Sequence, residues 1–314
     1  MANKQFSRRR FIGLSTAAAG LIFLPSNSYS ASFQAQKKPD STISGVRIGA
    51  ITYSWRSMPS EAKDILQYCI DTGISTIELM GDVAERYAGL PQEIGGGKVS
   101  KETAAAQKKW RLSAPMEKFR DLRKMYNDAG VQIHIVKFSP GDWSDEEMDY
   151  AFRAAKELGT MGITNEIGEE ACKRMGPVAE KHGLKAIFHN HLQPGEPGFS
   201  FDKFLQYSPA NMLNFDAGHY FGATGKHPNE IIEKYHDRIA SLHMKDKTGP
   251  KGKPPNTNMP WGQGQTPVAD ILNLLRKKKS HIYADIELEY DVPKDSDAVQ
   301  EVKKCVDFCR KVLA

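Results

Sequence analysis

Cysteine is scarce: Cys69, Cys172, Cys305 and Cys309 are the only four in 314 residues. They form no metal-ligand pattern, and Cys305 and Cys309 fall one turn apart on a predicted helix, where disulfide geometry is rarely satisfied. A disulfide scaffold and a thiolate metal cage are excluded, and the four read as small buried residues. A strong charge of one sign is missing too. The formal net charge is +5, but Lys4, Arg8, Arg9 and Arg10 supply four of those charges and the first thirty residues hold no acid, so the rest of the chain is near +1. That is no nucleic-acid footprint, and none is expected as a partner. Beyond residue 30 no apolar run is long enough to cross a bilayer.

The N-terminus carries a pattern instead. Ser7-Arg8-Arg9-Arg10-Phe11-Ile12 precedes a short, mild apolar stretch, Gly13 to Leu24, followed by Pro25 and small residues to Ala31. This resembles a twin-arginine export signal over residues 1–30. It predicts a periplasmic or otherwise exported protein with no stable membrane anchor after signal removal. Residues 31–45 are small and polar and read as a flexible leader.

From residue 46 to 314, strand patterns alternate with helix patterns. The strand candidates are Val46–Trp55, Ser75–Met80, Val131–Phe138, ITNEIG ending near Glu166, Leu184–His191, the strand that ends in Asp216, the strand that ends in His243, and HIYADIELEYD. Eight such units in one α/β chain are the signature of a single-domain (β/α)8 TIM barrel, which takes about 250 residues. Residues 81–115 interrupt the rhythm with an inserted βα loop longer than is usual. Its Trp110 and Arg111 read as a lid or, more plainly, as part of a solvated helical excursion. In the third strand, alternation puts His134 and Val136 on one face and Ile133, Ile135 and Lys137 on the other.

The chemistry gathers at strand ends. The carboxyl ends of parallel strands form the rim where ligands bind. Four consecutive strands end in His189-Asn190-His191, Asp216, His243 and Glu287 with Glu289. A single histidine near a buried strand end is most often a satisfied core residue. Four such strands in a row would be costly to bury without purpose. Mixed nitrogen and oxygen donors suit a divalent metal, manganese or zinc first, with iron and cobalt as further candidates. Period two lets each strand offer one residue to the metal and the next to a substrate: His189 and His191, His243 and Lys245, Glu287 and Glu289. Lys245 reads equally as a rim lysine salt-bridged near Asp246. His182, His227, His236 and His281 fall in helices or turns and read as ordinary. Trp55, Trp110 and Trp261 offer faces of the kind that stack on sugar rings, although each is more often packing.

In this order and spacing, FHNH, NFDAGH, SLHMKD, PWGQG and DIELEYD resemble the xylose isomerase-like TIM-barrel family, also called sugar phosphate isomerases/epimerases, over about residues 46–312. The resemblance implies a metal held by His189, Asp216, His243 and Glu287. The family's epimerases have a Glu on the fifth strand where this chain has His189-Asn190-His191, so His191 or Glu166 is an alternative fourth ligand. It further implies proton abstraction alpha to a carbonyl, with Glu287 or Glu289 as base, His191 or His219 as acid, and Lys245 at a substrate oxygen. Glu287, Glu289, Lys245 and His191 are the catalytic candidates; His219, Glu166, Trp261, Trp55 and Lys137 are the substrate-binding ones. The expected activity is a metal-dependent isomerase, epimerase or lyase. Export favours an unphosphorylated sugar, keto-sugar or 3-keto-glycoside as its small-molecule carbohydrate substrate. An endonuclease IV-like nuclease and a non-catalytic sugar-binding barrel are the alternatives, and an oligomer is compatible with the sequence.

Overall fold

The computed structural model describes residues 38–92 and 99–314. The expected export signal lies outside the described residues. Eight parallel strands close into a barrel: β1 (Val46–Ile51), β2 (Thr76–Met80), β3 (Gln132–Lys137), β4 (Gly162–Glu166), β5 (Lys185–His189), β6 (Asn211–Asp216), β7 (Ile239–Met244) and β8 (Tyr283–Ile286). Each pairs with its neighbours in sequence, and β8 returns to β1 with Asp285 opposite Gly49. Helices fill the connections and bury their apolar faces on the strands. No described helix is long and apolar enough to cross a membrane.

Local sequence explains most boundaries. The helix Asp145–Leu158 opens on Ser144, whose side chain accepts from Glu147 N while Glu147 reaches back to Ser144 N, and it closes on Gly159 at φ +72°. That is a capping box followed by a left-handed stop, the two strongest end signals a helix has. The four cysteines are free and buried, as their spacing suggested.

Two boundaries differ from the expectation. The first strand stops at Ile51, and Thr52–Trp55 winds into a 3-10 turn. Residues 38–45 are not all leader, because Thr42–Ile43 pairs antiparallel with the start of β1 and buried Ser41 donates its hydroxyl to Ile48 O. The segment between β6 and β7 forms two helices, Ala217–Thr224 and Asn229–Lys234, because Gly225 turns left-handed at φ +70° and Pro228 starts a new helix.

The inserted connection holds the helices Gly81–Ala88 and Lys101–Leu112. The second of these is the solvated helical excursion expected, with no residue of it buried, and Arg111 lies on its inward side. Its Nε lies 2.8 Å from Glu85 Oε1, its Nη1 lies 3.2 Å from Glu147 Oε1, and its guanidinium covers the Trp143 ring at 3.8 Å. Trp110 packs edge-on against buried Tyr150. Charge pairing and ring contact fasten this helix to its neighbours.

Strict alternation fails on β3. Ile77 of β2 faces Ile133, but the next residue, Glu78, faces Ile135. His134 is the extra residue of a β-bulge, which resets which side chains point inward. Ile135 therefore joins Ile187 and Ala240 in a small apolar cluster separate from the main core, while Val136 packs in the main core. His134 stacks on Tyr283 at 4.0 Å, with Nδ1 2.8 Å from Thr76 Oγ1 and Nε2 2.9 Å from Asp285 Oδ2. Burial pushes the Asp285 carboxyl up, against the pull of His134. Only glycine fits at position 49, since a Cβ there would lie 2.0 Å from Asp285 Oδ1.

Candidate active site

At the mouth of the barrel is a cavity of about 220 Å³ lined by Ile51, Tyr53, Met80, Lys137, Glu166, His189, His191, Glu287 and Glu289. The ends of β1 to β5 and the segment after β8 supply these side chains. Asn190 locks β5 to β6, with its Oδ1 accepting from Asp216 N at 3.0 Å and its Nδ2 donating to Asp216 O at 3.2 Å. Asp216 then caps the next helix by accepting from His219 N at 2.7 Å, and the His219 ring lies 3.3 Å from Glu289 Oε2.

The four expected ligands converge. His189, Asp216 and His243 can each place one donor atom within 4.8 Å of the others, and Glu287 Oε2 lies 2.9 Å from His243 Nδ1. His189 Nε2 is 3.9 Å from Asp216 Oδ2. A second trio, His189, His191 and His219, meets the same test, so His191 remains within reach. Asp216 Oδ2, His243 Nδ1 and Glu287 Oε2 are buried and make no well-directed hydrogen bond despite their short charge contacts. Two imidazoles and two carboxylates fit a borderline divalent cation, with the Nδ1 proton of His243 given up on binding.

Electrostatics sort these groups. His189 is held well below its ordinary value by burial and by Lys137, so it is neutral and free to bind a metal. Burial opposes charge on His243, but Glu287 and Glu78 on its two sides raise it well above the ordinary value. Glu287 is held down against burial by His243 and Lys245. Glu289 falls to about 2, because its bond to His219 and the nearby Lys245 outweigh burial. Lys245 Nζ sits among carboxylates, 2.8 Å from Asp216 Oδ2, 2.7 Å from Glu287 Oε2 and 2.8 Å from Glu289 Oε2, and lies 3.1 Å from His219 Nε2. These raise its affinity for the proton despite full burial.

Across the cavity, Lys137 Nζ meets Glu166 Oε1 at 2.7 Å and His191 Nε2 meets Glu166 Oε2 at 2.9 Å. Glu166 is held at about 2 against burial by His191 and Lys137, and its hydrogen bond raises His191. A raised histidine stabilises the fold below its ordinary 6.5 and loses that contribution as pH climbs through the raised value; a depressed carboxylate does so above 4.5 and loses it as pH falls toward 2. The pair is thus fully effective between about 4.5 and 6.5. Glu166→Gln is expected to lower the His191 titration midpoint, followed by NMR of the imidazole; an unmoved midpoint would show that the two do not interact.

Two expected substrate contacts are placed elsewhere. Trp55 is fully buried beside Tyr68, because the 3-10 turn after β1 drives it into the core. Trp261 packs edge-on against Phe308 of the last helix. The loop that follows grips Asp246: Gly262 N and Gly264 N donate to Oδ2 at 2.8 and 2.9 Å, and Thr266 N to Oδ1 at 3.1 Å. Its amides are spent on the chain's own carboxylate, and Asp246 anchors this loop while Lys245 pairs within the site.

The sequence reading assigned no role to Glu78, Asn214 or Asn258. Glu78 Oε2 lies 2.8 Å from His243 Nε2 and accepts from Asn214 Nδ2 at 2.6 Å. Asn258 reaches Glu289 Oε2 at 3.4 Å. A carboxylate inside the apolar run TIELM was the available signal for Glu78.

The chain is similar to inosose dehydratase of Clostridium beijerinckii, 26% identical over 143 residues, 44% of this chain and 38% of that protein. The match therefore spans well under half of that relative's length. In fold it is similar to a sugar phosphate isomerase/epimerase from Parabacteroides distasonis, with a TM-score of 0.60 at 18% identity over 84% of this chain and 95% of that one. It is likewise similar to a probable 3-DHS dehydratase from Bacillus anthracis, with a TM-score of 0.57 at 16% identity over 83% and 98%. The family described as xylose isomerase-like TIM barrel matches residues 59–312, and with the closed parallel barrel and its mouth already described, the chain belongs to that family.

Proposed function

We propose that the chain is a divalent-metal-dependent enzyme that removes a proton alpha to the carbonyl of an unphosphorylated sugar or keto-sugar, ending in isomerisation, epimerisation or elimination. The observation that carries this reading is the convergence of His189, Asp216, His243 and Glu287 beside a cavity with ionisable groups on opposite walls. Relatives named inosose dehydratase and sugar phosphate isomerase/epimerase support the substrate class. The export expected from the N-terminal pattern goes with an unphosphorylated substrate, and we place the protein in the periplasm on that pattern.

His189, Asp216, His243 and Glu287 would hold the metal. When bound, it supplies Lewis-acid stabilisation of the negative charge that develops on the carbonyl oxygen. Glu289, ionised and at the cavity wall, takes the carbon-bound proton. Glu166 keeps His191 charged on the facing wall, where the imidazolium returns a proton to carbon or to a departing hydroxyl. Lys137 holds Glu166 in place, and Lys245, bonded to His219, holds the carboxylates of Asp216, Glu287 and Glu289 together.

The test is deuterium wash-in. Protein stripped by chelator and reloaded with manganese or zinc is incubated in D2O with inososes, ketohexoses and 3-keto-glycosides, and NMR follows the carbon-bound protons. Exchange that appears with metal and vanishes with chelator is expected. No exchange in any keto-sugar by the reloaded protein would overturn the mechanism.

A further inference from the structure

We propose that Glu78 is a positioning residue that fixes the orientation of His243, so that Nδ1 and not Nε2 is the metal-binding atom. The proposal rests on the metal site proposed above. Glu78 stands on β2, three strands round the barrel from His243 on β7, and both side chains are fully buried. Its Oε2 lies 2.8 Å from His243 Nε2, while the buried Nδ1 faces Glu287 Oε2, one of the four candidate ligands, at 2.9 Å.

The flanking residues on β2, Ile77 and Leu79, are wholly buried in the apolar core. A carboxylate between them is costly unless something compensates it. The compensation is visible, since Asn214 Nδ2 donates to the same Oε2 at 2.6 Å, and the 3.1 Å between that amide nitrogen and His243 Nε2 is the spacing of two donors sharing one oxygen. The Glu78 carboxyl is held below its ordinary value, against burial, with His243 beside it, and an ionised carboxylate only accepts, so it accepts from the imidazole as it does from the Asn214 amide. That keeps the Nε2 proton on the Glu78 side, so the proton that a divalent ion would displace is the one at Nδ1, toward Glu287 Oε2. A metal-binding histidine whose other ring N–H is held by a carboxylate has its tautomer fixed and its basicity raised, and losing such a partner weakens metal binding by 10–100-fold. The interaction lies behind the ligand and touches neither the cavity nor a substrate, so its effect is on affinity for the ion.

Two measurements test the assignment. In wild-type protein labelled with [15N]histidine and loaded with cadmium-113, NMR is expected to show cadmium coupling at Nδ1 of His243 and a proton at Nε2. In Glu78→Gln, zinc affinity by competition with a chromophoric chelator is expected to fall roughly 10–100-fold, with the far-ultraviolet circular dichroism unchanged. Coupling through Nε2, or a Gln variant of unaltered affinity, would overturn this inference and leave the metal site standing. A wild-type protein that binds no divalent ion overturns both. If Glu78→Gln does not fold, the nitrogen that couples to cadmium in the wild-type protein decides.

Discussion

Glu289→Gln is expected to retain its divalent metal and lose at least about 10³-fold in deuterium wash-in, roughly 4 kcal/mol of transition-state stabilisation. Glu287→Gln is expected to lose metal and turnover together. The two carboxylates are one turn of sequence alternation apart, yet their partners differ. Glu287 Oε2 is committed to His243 Nδ1 and Lys245 at the buried centre, whereas Glu289 meets His219 at 3.3 Å, Lys245 and Asn258 at the cavity edge. Removing the charge of a ligand opens the metal site; removing the charge of a base leaves the ion and takes away the proton acceptor. Metal content by mass spectrometry, read beside the exchange rate, separates the outcomes. Equal metal loss in both variants would make Glu289 a ligand and leave the reaction without its assigned base.

Lys245→Met is expected to lower the melting temperature by roughly 10 °C in the presence of chelator, and to recover most of that loss when manganese or zinc is added. Lys245 is 2% exposed and its ammonium is the shared counter-ion of Asp216, Glu287 and Glu289. Breaking a buried pair by deleting one partner costs about 3–5 kcal/mol because the remaining charge is left uncompensated, and a domain of this size shifts by roughly 2–4 °C for each kcal/mol. The ammonium contacts Asp216 Oδ2 and Glu287 Oε2, the oxygens that a divalent ion would use. The variant should therefore bind the ion more tightly than wild type, since nothing then competes for those oxygens. Calorimetric titration and thermal melts with and without metal check both halves. A melting temperature that changes by less than a degree in chelator would remove Lys245 as the charge partner of the three acids.

The resemblance and the strand pattern named four candidate ligands that lie together in the fold, although they are far apart in sequence. His189, Asp216, His243 and Glu287 each sit at a strand end or just past it, and in a parallel barrel every such end opens on the same mouth. What misled was the reading of neighbours. Trp55 is next to the mouth in sequence but a 3-10 turn rotates it into the core, and Trp261 meets Phe308, forty-odd residues on. Neither the turn nor the ring contact has a signature in local composition.

By itself the sequence determined the α/β alternation, the single barrel and the strand ends that gather the ionisable groups, because these follow from short-range periodicity and from the one direction that all parallel strands share. Tertiary structure alone decided the rest. The bulge at His134 reset the inward face of β3, and Glu78 reached His243 across 165 positions of chain. Lys245 became the counter-ion of three acids drawn from two other strands' ends. Those pairings depend on the closed curvature of the barrel, which brings side chains of β2, β6, β7 and β8 into one buried space that no run of neighbouring residues encodes.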